Sequence, residues 1–183
     1  KRIKKTSFSL KKNFFILSQI KSINPKPIIK LLFILKFLFS IMSASYMGTI
    51  ALYIIDLFGF DEKEIGLFML VVGVFLAINQ AFISKWIINK IGVYRTLLLG
   101  LSLATIGANL ITITDELPLY IAFYYILNLG FSLCYPTFTA LISIHADPAK
   151  QGGIMGISES INSLAMTIFP FLAAAVYSWI GYQ

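Results

Sequence analysis

The chain has 183 residues, 58% of them hydrophobic and 13% charged, with a mean hydropathy of +0.84, a balance outside the range of water-soluble domains that marks a membrane protein. The single cysteine, Cys134, excludes an intrachain disulfide, and the single histidine, His145, excludes a metal site or triad built on histidines. The net charge of +7 reads as a signal of membrane orientation, with no nucleic-acid footprint in it.

Lys1 stands where an initiator methionine would, and no signal-peptide order of charged, apolar and small residues follows, so the chain reads as a piece of something longer. Residues 1 to 27, KRIKKTSFSLKKNFFILSQIKSINPKP, alternate basic pairs with Phe8, Leu10, Phe14, Phe15, Leu17 and Ile20 and end in a Pro-Lys-Pro break. Such a basic amphipathic stretch lies on the anionic cytoplasmic face of a bilayer; a solvated linker is the alternative.

Five apolar runs follow, at about 31 to 55, 65 to 84, 96 to 113, 117 to 142 and 153 to 177, each near the length that crosses roughly 30 Å of hydrocarbon. Only helices satisfy their own backbones in such runs, so the predicted class is all-α and polytopic. Ten basic residues lie between Lys1 and Lys36, and Lys85, Lys90, Arg95 and Lys150 fall on the same side, leaving only Lys63 opposite, beside Asp56, Asp61, Glu62, Glu64, Asp115 and Glu116. Positive loops stay inside. The first residue is therefore predicted cytoplasmic and the last, after five crossings, outside.

The first span carries a loose stripe of Lys36, Ser40, Ser43, Tyr46, Thr49 and Tyr53, and Lys36 is close enough to the cytoplasmic end to snorkel. Asn79 and Gln80 in the second span need partners. Ser102, Thr105, Asn109 and Thr112 in the third read as helix packing. In the fourth, Tyr124, Asn128, Ser132, Tyr135, Thr139 and Ser143 recur every three or four residues, flanked by Tyr125. A polar stripe of that length points to a water-filled path; bonds to neighbouring helices or to carbonyls four residues back are the alternative.

The fifth span, QGGIMGISESINSLAMTIFP, divides at about 100° per residue into a polar half with Gly152, Gly156, Glu159, Ser160, Asn162, Ser163, Met166, Thr167 and Pro170 and an apolar half with Ile154, Ile157, Ile161, Leu164, Ala165, Ile168 and Phe169. The apolar half reads as the lipid face. The polar half must meet protein or water, because Glu159 sits roughly 10 Å along the helix.

Two stretches carry a resemblance. In the fifth span, Gln151, Gly152, Gly156, Ser163, Leu164 and Pro170 fall where helix eleven of the major facilitator superfamily has its Gln/Arg-Gly start, second glycine, Ser-Leu pair and helix-ending proline, with Phe169 in place of the usual glycine. The stretch KWIINKIGVYRTLLLG is similar to the cytoplasmic connection between helices eight and nine: Lys90, Gly92 and Arg95 keep its basic-glycine-basic character, while Lys85 and Asn89 replace its first glycine and its aspartate. GFSLCYPTFTALIS looks like helix ten with its mid-helix proline. The chain thus resembles the C-terminal half of such a transporter over about residues 28 to 183, helices seven to eleven of twelve, most like the drug/proton antiporters that include tetracycline efflux proteins.

The resemblance implies two six-helix bundles with the substrate path between them, so that residues 1 to 27 become the linker between bundles, and the N-terminal bundle and the final helix are missing partners. It implies transport by alternating access about a midplane site, most simply proton-coupled efflux of small amphipathic organic compounds across a bacterial cytoplasmic (inner) membrane. Tyr124, Asn128, Ser132, Tyr135, Asn162 and Tyr46 are then the path-lining candidates, and Glu159, the only acid inside a predicted span, is the proton-coupling candidate. Lys90, Gly92 and Arg95 form the candidate gating loop; Gly152, Gly156 and Pro170 serve packing and helix shape. No catalytic residue, metal or cofactor is expected: the chain has no H-E-x-x-H, G-x-S-x-G or phosphate-binding glycine loop. The rival readings are a transporter of sugars or metabolites and a non-transporting assembly or regulatory half-protein.

Overall fold

A proline at the first helical position costs no hydrogen bond and presets the backbone, and Pro27 opens the first helix in this way. In the computed structural model, which describes residues 23–180, α1 runs Pro27–Phe58 and closes on Gly59, whose left-handed φ of 67° lets its N–H reach the Ile55 carbonyl at 2.8 Å. α2, Glu62–Ile91, begins with a capping box: the Asp61 carboxylate accepts from the Glu64 N–H at 2.7 Å, and the Glu64 carboxylate accepts from the Asp61 N–H at 2.9 Å. It is interrupted by a π-helical segment, Asn79–Ile83. α3 is Val93–Leu110, α4 is Leu117–His145, and α5, after a single 3-10 turn at Pro148–Lys150, is Gln151–Ile180.

All five predicted spans are present, four of them inside a longer helix; the third, expected at 96 to 113, is displaced toward the N-terminus as Val93–Leu110, where the turn at Gly92 starts it and residues 111–113 leave the helix. Of the candidate linker, residues 1–22 lie outside the described residues. The helices alternate in direction, so Lys85, Lys90, Arg95 and Lys150 gather at one end and Asp56, Asp61, Glu62 and Glu64 at the other.

The connection holding Lys90, Gly92 and Arg95 corrects an expectation, since it is no loop. Helix continues to Ile91 and resumes at Val93, with Lys90 stacked over the Trp86 ring one turn back, 4.8 Å from its centre. Gly92 alone turns the chain, at φ 82° and ψ 163°, a region open only to glycine. Gly92→Ala is therefore expected to cost roughly 1–3 kcal/mol, although a Cβ there would meet open space. A lowered thermal midpoint in detergent would confirm it, and an unchanged one would mean the bend relaxes.

Two helix pairs form the frame. α3 and α4 approach backbone to backbone through Gly100, Ala104, Gly107 and Gly130; a Cβ on Gly107 would stand 2.5 Å from the Leu127 nitrogen. That close approach is what small residues do in lipid, where apolar burial gives no advantage between helices. The polar residues assigned to this task do not perform it. Thr105, Asn109 and Thr112 are exposed, and their side chains bond to carbonyls of their own helix at 2.7–2.9 Å, which satisfies them without a neighbour.

α1 packs along α5. Here Gly48 lies against Pro170, whose carbonyl would be 2.5 Å from an added Cβ, and Phe37 meets Phe169 edge-on at 6.3 Å. Ile154, Ile157, Ile161 and Ala165 are buried in this seam. The apolar half of α5 is thus mostly an inner face rather than the expected lipid face, while Gly152, Gly156, Glu159, Ser163 and Thr167 of the polar half are exposed.

Candidate functional site

Lys36 and Glu159 lie nine residues into α1 and eight into α5, and at about 1.5 Å per residue both stand roughly 12–14 Å from the start of their helices. The α1–α5 seam brings them together. Lys36 Nζ donates to Glu159 Oε1 at 2.8 Å and to the Ser158 hydroxyl at 2.7 Å. One turn further, the Ser40 hydroxyl donates to Asn162 Oδ1 at 3.0 Å. Lys36 does not snorkel: its side chain is only 5% exposed, whereas that of Glu159 is 58% exposed. A buried ammonium cannot be left without a partner in this setting, so the ion pair is the reason Lys36 turns inward.

Beside the pair opens a cavity of about 600 Å³ walled by Lys36, Gln80, Tyr135, Thr139, Ser143, Glu159 and Asn162. It draws on four of the five helices. A smaller cavity of about 270 Å³ shares Gln80 and Tyr135 with it and extends to Ser43, Tyr46, Met69, Tyr124, Asn128 and Met166. Tyr135, whose hydroxyl donates to Ser43 at 3.1 Å, stands at the junction. The Gln151 side-chain amide donates to the Ser143 hydroxyl at 2.6 Å, tying α4 to α5 near the basic end.

Of the six path-lining candidates, Tyr135 and Asn162 wall the larger cavity, and Tyr46, Tyr124, Asn128 and again Tyr135 wall the smaller. Tyr46 and Tyr124 lie with ring centres 5.8 Å apart. Ser132 departs from the expectation. It is fully buried and its hydroxyl donates to the Leu129 carbonyl at 2.8 Å, the self-satisfied state of a serine within a helix. Gly152 and Gly156 have open space where a Cβ would go, so they pack against nothing among the described residues. Pro170 does pack, on Gly48. Arg95 is exposed in the first turn of α3.

Two features of this region are not anticipated by the sequence reading. One is the Lys36 partnership, for which the matched depth of Lys36 and Glu159 was an available signal. The other concerns Pro136. A residue at that position would ordinarily donate to the Ser132 carbonyl, and proline cannot. Ser84, buried on α2 directly after the π-helical segment, donates its hydroxyl to that carbonyl at 2.9 Å instead. At the first position of that segment, fully buried Asn79 accepts from the Tyr125 hydroxyl at 3.2 Å.

A family model described as Major Facilitator Superfamily matches residues 23–183. Among curated relatives, the Hippocampus abundant transcript 1 proteins of Mus musculus and Homo sapiens are each 25% identical over 165 residues, 90% of this chain and 33% of theirs. The Tetracycline resistance protein, class G, of Vibrio anguillarum is 27% identical over 123 residues, 67% of this chain and 31% of its own. The chain thus spans about a third of the length of the curated relatives it matches. No solved structure matches.

Proposed function

Because the chain belongs to the major facilitator superfamily and crosses the membrane several times, we propose that it is the C-terminal bundle of a secondary transporter that moves small amphipathic organic compounds against a flow of protons. The observation that carries this reading is the Lys36–Glu159 pair at the wall of a polar cavity: a charge pair at this depth is costly in lipid and is kept where it serves a path. Substrate would enter the space between this bundle and a second, N-terminal one. The exposed polar half of α5 would face that partner, and Gly152 and Gly156 would let it come close. Alternating access then follows from rocking of one bundle on the other about a site near the midplane.

Tyr135, Tyr46, Tyr124, Asn128 and Asn162 offer ring faces and hydrogen-bonding groups suited to amphipathic compounds. We assign proton exchange with the path to Glu159; its carboxylate walls the cavity and pairs with Lys36, which supports that assignment. Export is the direction we favour, on the strength of the relative named for tetracycline resistance; the basic rim would face the cytoplasm of a bacterial inner membrane.

The test is proton flux in proteoliposomes holding the protein from its complete reading frame, with amphipathic compounds of either charge added. Flux that follows the compound and is lost in Glu159→Gln supports antiport through this residue. Equal flux in the variant would move the coupling acid to the other bundle. No flux with any compound would favour a non-transporting assembly role.

A further inference from the structure

We infer that the larger cavity takes a small organic anion, whose oxyanion group replaces Glu159 as the partner of Lys36 while Glu159 carries a proton. The inference rests on reading that cavity as the substrate path; it adds the charge of the substrate and revises the coupling for such a compound, since an anion that binds together with a proton crosses with it and not in exchange for it.

The asymmetry of the pair carries the argument. Lys36 is almost wholly buried and Glu159 is more than half exposed, so the carboxyl can swing into the cavity while the ammonium has nowhere to go. Lys36 is the fixed charge of the site and Glu159 its movable partner. An ammonium donates three hydrogen bonds, and among the described residues two go to Ser158 and Glu159, leaving one to receive a ligand.

Charge balance then selects the ligand. Apart from the pair, the polar walls are neutral: Gln80 from α2, Tyr135, Thr139 and Ser143 from α4, and Asn162 from α5. Among the described residues that wall the cavity with Glu159, Lys36 and Tyr135 are the only others with a titratable side chain. A proton on Glu159 leaves Lys36 buried and unpaired, which is strongly unfavourable, and an anion beside Lys36 restores neutrality. A cation would have the opposite effect: it would draw Glu159 away and strand the ammonium. Proton and anion therefore favour each other's binding, by reciprocal linkage. The Gln80 and Asn162 amides add hydrogen-bond donors, and Pro136, Ala140 and Met155 supply an apolar wall for a ring. The volume of about 600 Å³ lies within the usual range of small-molecule sites.

Three probes of one shape and different charge test this: benzoate, benzamide and benzylamine, titrated calorimetrically into the complete protein in detergent between about pH 5.5 and 8, where benzoate stays ionised. Benzoate is expected to bind best, more tightly as the pH falls, with a proton taken up from weakly buffered solution. Lys36→Gln should weaken benzoate at least about tenfold and Lys36→Arg should retain it, which separates loss of the charge from loss of the fold. Glu159→Gln should keep benzoate binding but lose both its pH dependence and the proton uptake. Preference for benzylamine, or benzoate binding untouched by Lys36→Gln, would overturn the inference while compound-driven proton flux left the transport reading in place. Absence of both probe binding and flux would remove both.

Discussion

Glu159→Ala is expected to destabilise the bundle by about 2–3 kcal/mol, while Lys36→Met costs less than about 1 kcal/mol. The two substitutions break the same 2.8 Å contact, yet they leave different remainders. Without Glu159, an ammonium that is 5% exposed keeps only the Ser158 hydroxyl. Without Lys36, a carboxylate that is 58% exposed turns to water, and methionine fills the space of the lysine stem. The larger figure stays below the cost of breaking a fully buried pair because Glu159 is partly screened by solvent. Unfolding by graded denaturant in micelles, with the double variant to close the cycle, measures both losses. Equal losses would mean that Lys36 reaches water by some route and that the pair is an ordinary surface contact.

Gly130→Val is expected to be the most damaging change outside the site. A Cβ on Gly130 would overlap the Ala104 backbone nitrogen and stand 2.7 Å from the Gly100 carbonyl, both belonging to α3. Backbone atoms cannot rotate aside as a side-chain tip can, so α3 and α4 must separate. Gly130→Ala already incurs an overpacking cost of about 1–3 kcal/mol, and the two further methyl groups of valine should prevent folding at ordinary temperature. Gly66→Ala provides the contrast. It lies in α2 where a Cβ meets nothing, so the change should be neutral or stabilise by up to about 1 kcal/mol through helix propensity. Comparable midpoints for the two alanine variants would show that the α3–α4 contact is loose.

The contrast between these sites also shows what a sequence can express. Hydropathy located all five spans because a bilayer demands length and apolarity of each helix separately. It could not tell the inner face of α5 from a lipid face, since Ile157 against α1 and Leu164 pointing outward are equally apolar. The stripe on α4 was legible as a period, but whether Ser132 or Tyr135 met open space depended on how the neighbouring helices are rotated. The Lys36–Glu159 pair joins positions 123 residues apart, and only the α1–α5 crossing aligns them. Packing by Gly100, Gly107 and Gly130 was hidden for the opposite reason: these residues act by what they lack, and a polar residue nearby draws the eye first.

The Ser84–Ser132 bond has a mechanical consequence. α4 is compliant where Pro136 removes a rung of its ladder, and α2 is compliant through the wide turn that ends at Ile83. Separately, these would be two joints free to flex at different moments. The serine hydroxyl bridges them, so bending either helix tugs on the other. In a bundle linked in this manner, a bend at either joint that is not matched at the other stretches the bond between them, which favours movement of the walls supplied by Gln80 and Tyr135 together.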